Sequence, residues 1–347
     1  MKVKINGIQI TSIASCIPKN KVNLLDFEKD FGANEVHRII KTTGISSIRK
    51  ADNNTTTSDL CFLASQKLLA ENEITPDQID AVIFVSQTSD FRIPQTSHIL
   101  QHKLGLKEDV ICFDLPIGCN GYIYGLFQAS ILISSKSCKK VLLLSGDTTT
   151  KLINDSDRSL KMVFGDGGSA SLIEEGSDTF SFIVYSDGSQ YNDLIIPDGG
   201  CRKPYSNESI ILNFDSEGNG RTPLNLYMDG MAIFNFAIKR VPDLIEEIIA
   251  YSNWDKNEVD LFAMHQANKF MIDYLRKKCK VAIEKMPVIV DGIGNTGPAS
   301  IPILITELQI TEKIYKKVIL CGFGIGLSWG AVTCDLSNTK ILKTIEY

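Results

Sequence analysis

The chain has 347 residues, 44% of them apolar and 22% charged, with a formal net charge of -5. That is enough apolar material for one large core or two medium ones, and nothing in the balance points to disorder. No basic tail offers a surface for nucleic acid, the first residues lack the apolar stretch of a secretory leader, and no run is long enough to span a bilayer, so a soluble cytoplasmic protein is expected.

The first strong strand signal is Asp80-Ala81-Val82-Ile83-Phe84. Gly118-Cys119-Asn120-Gly121 then punctuates the chain, before a segment over 121–135 that is apolar all round and so reads as a buried helix. A second strand begins in Lys139-Lys140-Val141-Leu142-Leu143-Leu144, and Gly165-Asp166-Gly167-Gly168 reads as a tight turn. Residues 187–225, rich in Gly, Asn, Ser and Asp, read as an excursion over the surface.

The pattern then repeats. Asp260-Leu261-Phe262-Ala263-Met264 matches the first strand, Lys316-Lys317-Val318-Ile319-Leu320 the second, and Asn295-Thr296-Gly297 matches Cys119-Asn120-Gly121, all displaced by 176 to 180 residues. A helix expected from about Ala299 to Leu308, with Pro302 in its first turn, corresponds to the helix after Cys119. Two β-α-β halves meeting near residues 175–180, with their buried helices in the middle, give a layered α/β sandwich.

Three turns carry chemistry. Cys119 sits where a strand gives way to a helix, a place that favours a thiolate. His265 ends the strand 260–264 directly before another helix, and alone among the four histidines lies at such a junction. Asn295, between Gly294 and Gly297, suits a turn on its own terms; the repeat sets it opposite Cys119. An imidazole and a carboxamide facing a thiol can both donate hydrogen bonds to one developing oxyanion or enolate. His98 and His102, four residues apart, lack an acidic partner and a third ligand, so they read as helix-surface residues, and His37 has no supporting context. Gly322-Phe323-Gly324-Ile325-Gly326 lacks the Lys-Ser/Thr of a phosphate loop and suits close backbone approach to a reacting group. The nine cysteines lie mostly inside apolar runs, as Cys61, Cys112, Cys321 and Cys334 do, and read as reduced thiols.

In this order, Thr43-Gly44-Ile45 with Arg49, Cys119-Asn120-Gly121-Tyr122, Phe164-Gly165-Asp166-Gly167, His265-Gln266-Ala267-Asn268, Gly294-Asn295-Thr296-Gly297 with Ala299-Ser300-Ile301-Pro302, and Gly322-Phe323-Gly324 with Ser328-Trp329-Gly330 resemble the ketoacyl-acyl carrier protein synthase III group of the thiolase superfamily. The resemblance implies a five-layer αβαβα sandwich of two pseudo-repeated halves, 1–177 with the nucleophilic Cys and 178–347 with His and Asn. It implies a homodimer, and decarboxylative Claisen condensation without metal or organic cofactor, acyl-CoA entering as substrate. Cys119 would carry the acyl group, with its oxyanion held by the N–H groups of Cys119 and Ile325. His265 and Asn295 would stabilise the enolate of malonyl-carrier protein, and Phe323 would crowd the leaving carboxylate. Arg158 matches an adenine-contacting position of acyl-CoA. Arg38 replaces the usual stacking Trp, and Thr42 the usual Arg. Ile93, before Pro94, occupies the dimer-crossing position of the acyl pocket. Lys269, Arg276 and Lys280 form one basic stripe for carrier-protein docking, whereas Asn235 replaces a basic residue of relatives.

Three other readings share these residues. Cys321 resembles the second cysteine of degradative thiolases, although Asn295 stands where those enzymes carry a His. An acyltransferase on the same scaffold would pass the Cys119 acyl group on without decarboxylation, and a non-catalytic subunit of a condensing heterodimer would usually have lost the nucleophile.

Overall fold

The computed structural model describes residues 1–308 and 315–347. Eight strands organise it: β1 (Lys2–Ile17), β2 (Ala81–Val85), β3 (Ile111–Leu115), β4 (Lys140–Asp147), β5 (Gly167–Ser186), β6 (Leu261–Met264), β7 (Val318–Gly324) and β8 (Ser328–Cys334). They hydrogen-bond in the order β6-β7-β8-β5-β4-β2-β3, with β1 antiparallel along β5. The expected repeat is visible in the pairing. β2 runs parallel to β4, which pairs antiparallel with β5, just as β6 runs parallel to β7, which pairs antiparallel with β8.

β5 is what joins the two. Its first part, Gly167 to Glu174, lies along β4, and its last part, Phe182 to Ser186, lies along β8. Position 177, where the sequence reading divides the chain, falls between these two pairings. Residues 167–173 and 180–184 are buried while 174–179 alternate toward solvent, where the strand passes from its pairing with β4 to its pairing with β8 within one sheet.

Seven helices cover and separate these strands: α1 (Ala33–Thr43), α2 (Thr57–Glu71), α3 (Thr96–Lys103), α4 (Gly121–Ser134), α5 (Gly230–Tyr251), α6 (Lys269–Cys279) and α7 (Ser300–Glu307). α4 touches β2, β4, β7 and β8, and α7 touches β1, β5, β6 and β7, so both lie between the strands of the two halves. α2 and α3 cover the outside of one half, and α5 with α6 the outside of the other. This gives the expected αβαβα layering. A helix in the middle layer has little solvent face, which is why α4 and α7 are apolar nearly all round, with Ile131 and Ser134 exposed only in the last turn of α4. Tyr122, Ile123, Leu126, Ile301, Leu304 and Ile305 bury together with Val85, Leu143, Leu261 and Leu320 in one core. Pro302 sits in the first turn of α7, where its missing N–H has no intrahelical partner to lose. The stretch 187–225 contributes only short strand pairs and 3-10 turns, and leaves Ile210, Ile211, Leu212 and Phe214 exposed.

The nine cysteines are all free. His98 and His102 are exposed on α3. Among the described residues no helix is long and apolar enough to cross a membrane.

Candidate active site

Cys119 stands between the end of β3 and the start of α4, and three glycines decide what surrounds it. A Cβ at Gly118 would lie 2.3 Å from Gln87 Oε1, and one at Gly322 3.0 Å from the Cys119 carbonyl oxygen. A Cβ at Gly324 would lie 2.8 Å from Cys119 Cβ and 2.9 Å from Sγ. The end of β7 therefore lies against the nucleophile with no side chain between them, and the Ile325 N–H that follows is aimed at Sγ together with the N–H of Cys119 itself. These are the two donors expected of an oxyanion hole.

The expectation of a thiolate favoured by the helix terminus is corrected here. Burial pushes the Cys119 thiol up to about 11, the buried Asp147 carboxylate adds to the rise, and the two N–H groups offset only part of it. Desolvation by elements from the other half, invisible at the local turn, outweighs the local field.

His265 follows β6 and is buried, its Nδ1 2.7 Å from Ser300 Oγ at the start of α7. Burial lowers its pKa to about 4, with a contact to the Gly297 backbone opposing the shift, so the imidazole is neutral at neutral pH. The Ser300 hydroxyl serves either tautomer: donating to Nδ1 it leaves Nε2–H as a donor, and accepting from Nδ1–H it leaves Nε2 as an acceptor. Ser300 had no assigned role in the sequence, although it stands in the Ala299-Ser300-Ile301-Pro302 stretch that carries part of the resemblance. The ring of Phe323 meets the imidazole edge-on, centroids 5.6 Å apart at 83°.

Asn295 is held by its backbone, donating N–H to Val163 O at 2.9 Å and accepting from Gly165 N–H at 3.0 Å. Its Oδ1 accepts the Gly297 N–H at 3.0 Å, which leaves Nδ2 as the donor for a ligand. Gly297 has φ +58, and a Cβ there would lie 2.7 Å from Asp147 Oδ2, so two constraints call for glycine. The companions of His265 are structural. Gln266 Nε2 donates to Met264 O and its Oε1 accepts Ile289 N–H, while Asn268 caps α6 by accepting Met271 N–H at 2.8 Å.

Two buried carboxyls frame the site. Asp147 Oδ1 accepts from Ser86 Oγ, Gln87 N–H, Thr88 N–H and Thr88 Oγ1, fixing the turn after β2, and Asp166 accepts from Ala51 N–H, Thr150 N–H and Thr150 Oγ1. Burial raises both to about 6 against these bonds. The expectation of a tight turn at Gly165-Asp166-Gly167-Gly168 is corrected here: Gly165 and Asp166 are irregular and lead straight into β5, whose ladder with β4 begins at Gly167.

Cys119, His265, Asn295 and Phe323 share one cavity of about 340 Å³, walled mainly by apolar residues such as Phe164, Met228, Phe234 and Phe270. A second cavity of about 30 Å³ lies behind Cys119, lined by Gln87, Asp147, Thr149, Leu226 and Ile325 among others. Ile93 is 85% exposed beside exposed Phe91, rather than in the pocket of its own chain. Arg38 and Arg158 both turn to Glu35: Arg38 Nη2 lies 2.6 Å and Arg158 Nε 3.1 Å from its Oε1. Lys269 and Arg276 share Asp273 at 2.6 and 2.9 Å, and Lys280 caps α6 from an exposed left-handed position. Cys321, the residue behind the degradative-thiolase resemblance, is fully buried in β7, and burial pushes its thiol far up.

A layered α/β sandwich that seats a thiol, a neutral imidazole and a carboxamide around one apolar cavity defines a thiolase-fold condensing enzyme. Residues 113–188 match the family model "3-Oxoacyl-[acyl-carrier-protein (ACP)] synthase III", and residues 249–336 match its C-terminal counterpart. The chain is 34% identical to a putative 3-oxoacyl-[acyl-carrier-protein] synthase 3 of Campylobacter jejuni, over 100% of this chain and 99% of that protein. It is 33% identical to a beta-ketoacyl-[acyl-carrier-protein] synthase III of Lactococcus lactis, over 94% and 99%. A solved 3-oxoacyl-(acyl-carrier protein) synthase from Burkholderia xenovorans superposes with TM-score 0.94 at 37% identity, covering 100% and 99% of the two chains. The chain belongs to the 3-oxoacyl-[acyl-carrier-protein] synthase III family, and is an acyltransferase of that type.

Proposed function

We propose that Cys119 accepts an acyl group from a CoA or carrier-protein thioester and condenses it with malonyl-carrier protein, giving 3-ketoacyl-carrier protein. The observation that carries this reading is the convergence of Cys119, His265, Asn295 and Phe323 on one apolar cavity, with the Ile325 N–H aimed at Sγ.

In the first half-reaction the Cys119 sulfur attacks the thioester carbonyl, and the oxyanion is received by the N–H groups of Cys119 and Ile325. The thiol proton leaves with the departing pantetheine thiol, and the acyl group extends into the small cavity behind Cys119. In the second, the malonyl thioester carbonyl takes hydrogen bonds from His265 and Asn295 Nδ2. Because the imidazole is neutral, it stabilises the enolate as a hydrogen-bond donor rather than as a cation. The malonyl carboxylate faces Phe323 in an apolar wall, a place that disfavours the charge and so favours its loss as CO₂. The enolate carbon then attacks the acyl-Cys119 carbonyl, and collapse breaks the carbon–sulfur bond and expels the Cys119 thiolate, which takes a proton from water to return to the thiol.

The enzyme works as a cytoplasmic homodimer in this reading, with exposed Phe91 and Ile93 reaching the partner and Ile93 closing the partner's acyl pocket. The test is stepwise. Mass spectrometry identifies which thioester acylates Cys119, and malonyl-carrier protein is then added. CO₂ release with a ketoacyl product supports condensation; transfer without decarboxylation would replace it with simple acyl transfer.

A further inference from the structure

The small cavity behind Cys119 has two kinds of wall. Leu152, Leu194 and Leu226 give it apolar surface, while Gln87, Asp147 and Thr149 bring a carboxamide, a carboxyl and a hydroxyl to the same space. Asp147 ends β4 and Thr149 opens the 3-10 turn that follows, at 3% and 6% exposure, so neither polar group can turn out to bulk water.

These groups have hydrogen-bonding capacity to spare. Asp147 Oδ1 takes all four bonds from Ser86, Gln87 and Thr88, and among the described residues none reaches Oδ2. That second oxygen lies toward Gly297, itself part of the cavity wall, where a Cβ would come within 2.7 Å of it. The Thr149 hydroxyl and the Gln87 carboxamide likewise have no hydrogen-bond partner among the described residues. Gln87 is the exposed member, its Oε1 lying against Gly118 beside the nucleophile.

A plain alkyl chain filling this space would strip water from these atoms and offer them no hydrogen in return. A hydroxyl can donate to a carboxyl oxygen and accept from a hydroxyl or an amide, which is what the three groups lack. The Asp147 carboxyl, held at about 6 by burial, is mostly ionised at neutral pH and so calls for a donor. A cavity of about 30 Å³ holds roughly two or three water-sized groups, so the chain that enters is short.

We propose that the acyl group accepted by Cys119 is a short hydroxyacyl group, its aliphatic hydroxyl donating to Asp147 Oδ2 and accepting from Thr149 or Gln87, rather than a plain alkanoyl group. This rests on the reading of Cys119 as the acyl-accepting thiol and of the cavity behind it as the acyl site. In the transfer the bond from Sγ to the acyl carbon forms, the bond from that carbon to the pantetheine sulfur breaks, and the Cys119 proton ends on the released pantetheine thiol. The hydroxyl keeps its own bonds throughout.

The test uses two isosteric pairs, 3-hydroxypropanoyl against butanoyl and 2-hydroxypropanoyl against 2-methylpropanoyl, each presented on CoA and on acyl carrier protein. Mass gain at Cys119 of the full-length protein gives kcat/KM for each donor. Each ratio is divided by that for free cysteine in solution, which removes differences in thioester reactivity. In at least one pair the hydroxyacyl donor should be preferred by about tenfold or more. A ratio near one, or favouring the alkanoyl group, in both pairs would overturn the proposal and leave the reading of Cys119 intact. No acylation by any of these thioesters or by acetyl-CoA and acetyl-carrier protein would overturn that reading itself. Thr149→Val deletes the hydroxyl at nearly constant size and should cut the preferred ratio at least about threefold. Because the ratio is taken on one protein, a general loss of activity cancels, and an unchanged ratio would count against the polar wall.

Discussion

His265 Nδ1 and Ser300 Oγ lie 2.7 Å apart, both buried, joining the strand that presents the imidazole to the first residue of the middle-layer helix α7. Ser300→Ala removes that partner and leaves a buried ring nitrogen unpaired, a loss of about 1–3 kcal/mol in a rigid site. The expected result is a fall of roughly ten- to a hundredfold in malonyl decarboxylation, with Ser300→Thr restoring part of it. Stopped-flow measurement of CO₂ release on pre-acylated enzyme checks it.

Asn295→Ala separates the half-reactions. In the proposed mechanism its carboxamide serves the enolate and not the acyl transfer, so acylation of Cys119 should proceed while condensation falls by about 10²–10³-fold, the usual effect of losing one oxyanion donor. Mass spectrometry of the acyl-enzyme and product assays on the same sample read both halves; equal losses would argue against the division.

The two pKa shifts have opposite signs and different windows. The Cys119 thiol, raised to about 11, holds little thiolate at neutral pH, so site-specific alkylation of Cys119 by iodoacetamide should rise about tenfold per pH unit between roughly pH 7 and 9. A plateau in that range would contradict a raised thiol. His265 is lowered to about 4, so it stays neutral as pH falls through the ordinary histidine range. The decarboxylation profile should therefore show no His265 inflection near pH 6.5, and His265 should lose its function only as pH approaches about 4.

Gly324→Ala places a methyl within 2.8 Å of Cys119 Cβ and 2.9 Å of Sγ, at a backbone with φ +156. Either the thiol or the Ile325 N–H must move, and acylation should fall by at least about 10²-fold. A circular-dichroism melt distinguishes this from unfolding: acylation should be lost in a protein that still melts cooperatively.

The reactive residues were legible because Cys119 and Asn295 stand beside glycines and His265 directly follows a strand, and because the second half repeats the punctuation of the first. Asp273 was legible too. It lies four residues after Lys269 and three before Arg276, the spacing at which helical side chains meet, so the basic stripe carried its own counter-charge in plain view. Other features depend on distant chain segments meeting. Ser300 matters only once α7 packs beside β6, and the rise of the Cys119 pKa only once β7 closes over the thiol. The sharing of Glu35 needs Arg158 brought to α1 from more than a hundred residues away.

The long strand β5 lies along β4 at one end and β8 at the other, while the thiol comes from one side of that seam and the imidazole and carboxamide from the other. Chemistry in this molecule is therefore a property of a junction. Two polypeptides separated near the middle of β5 would each hold an incomplete set of reacting groups, and turnover would return only as the severed strand was rejoined by association. Product formation would then count how many seams had closed, making the enzyme its own gauge of assembly.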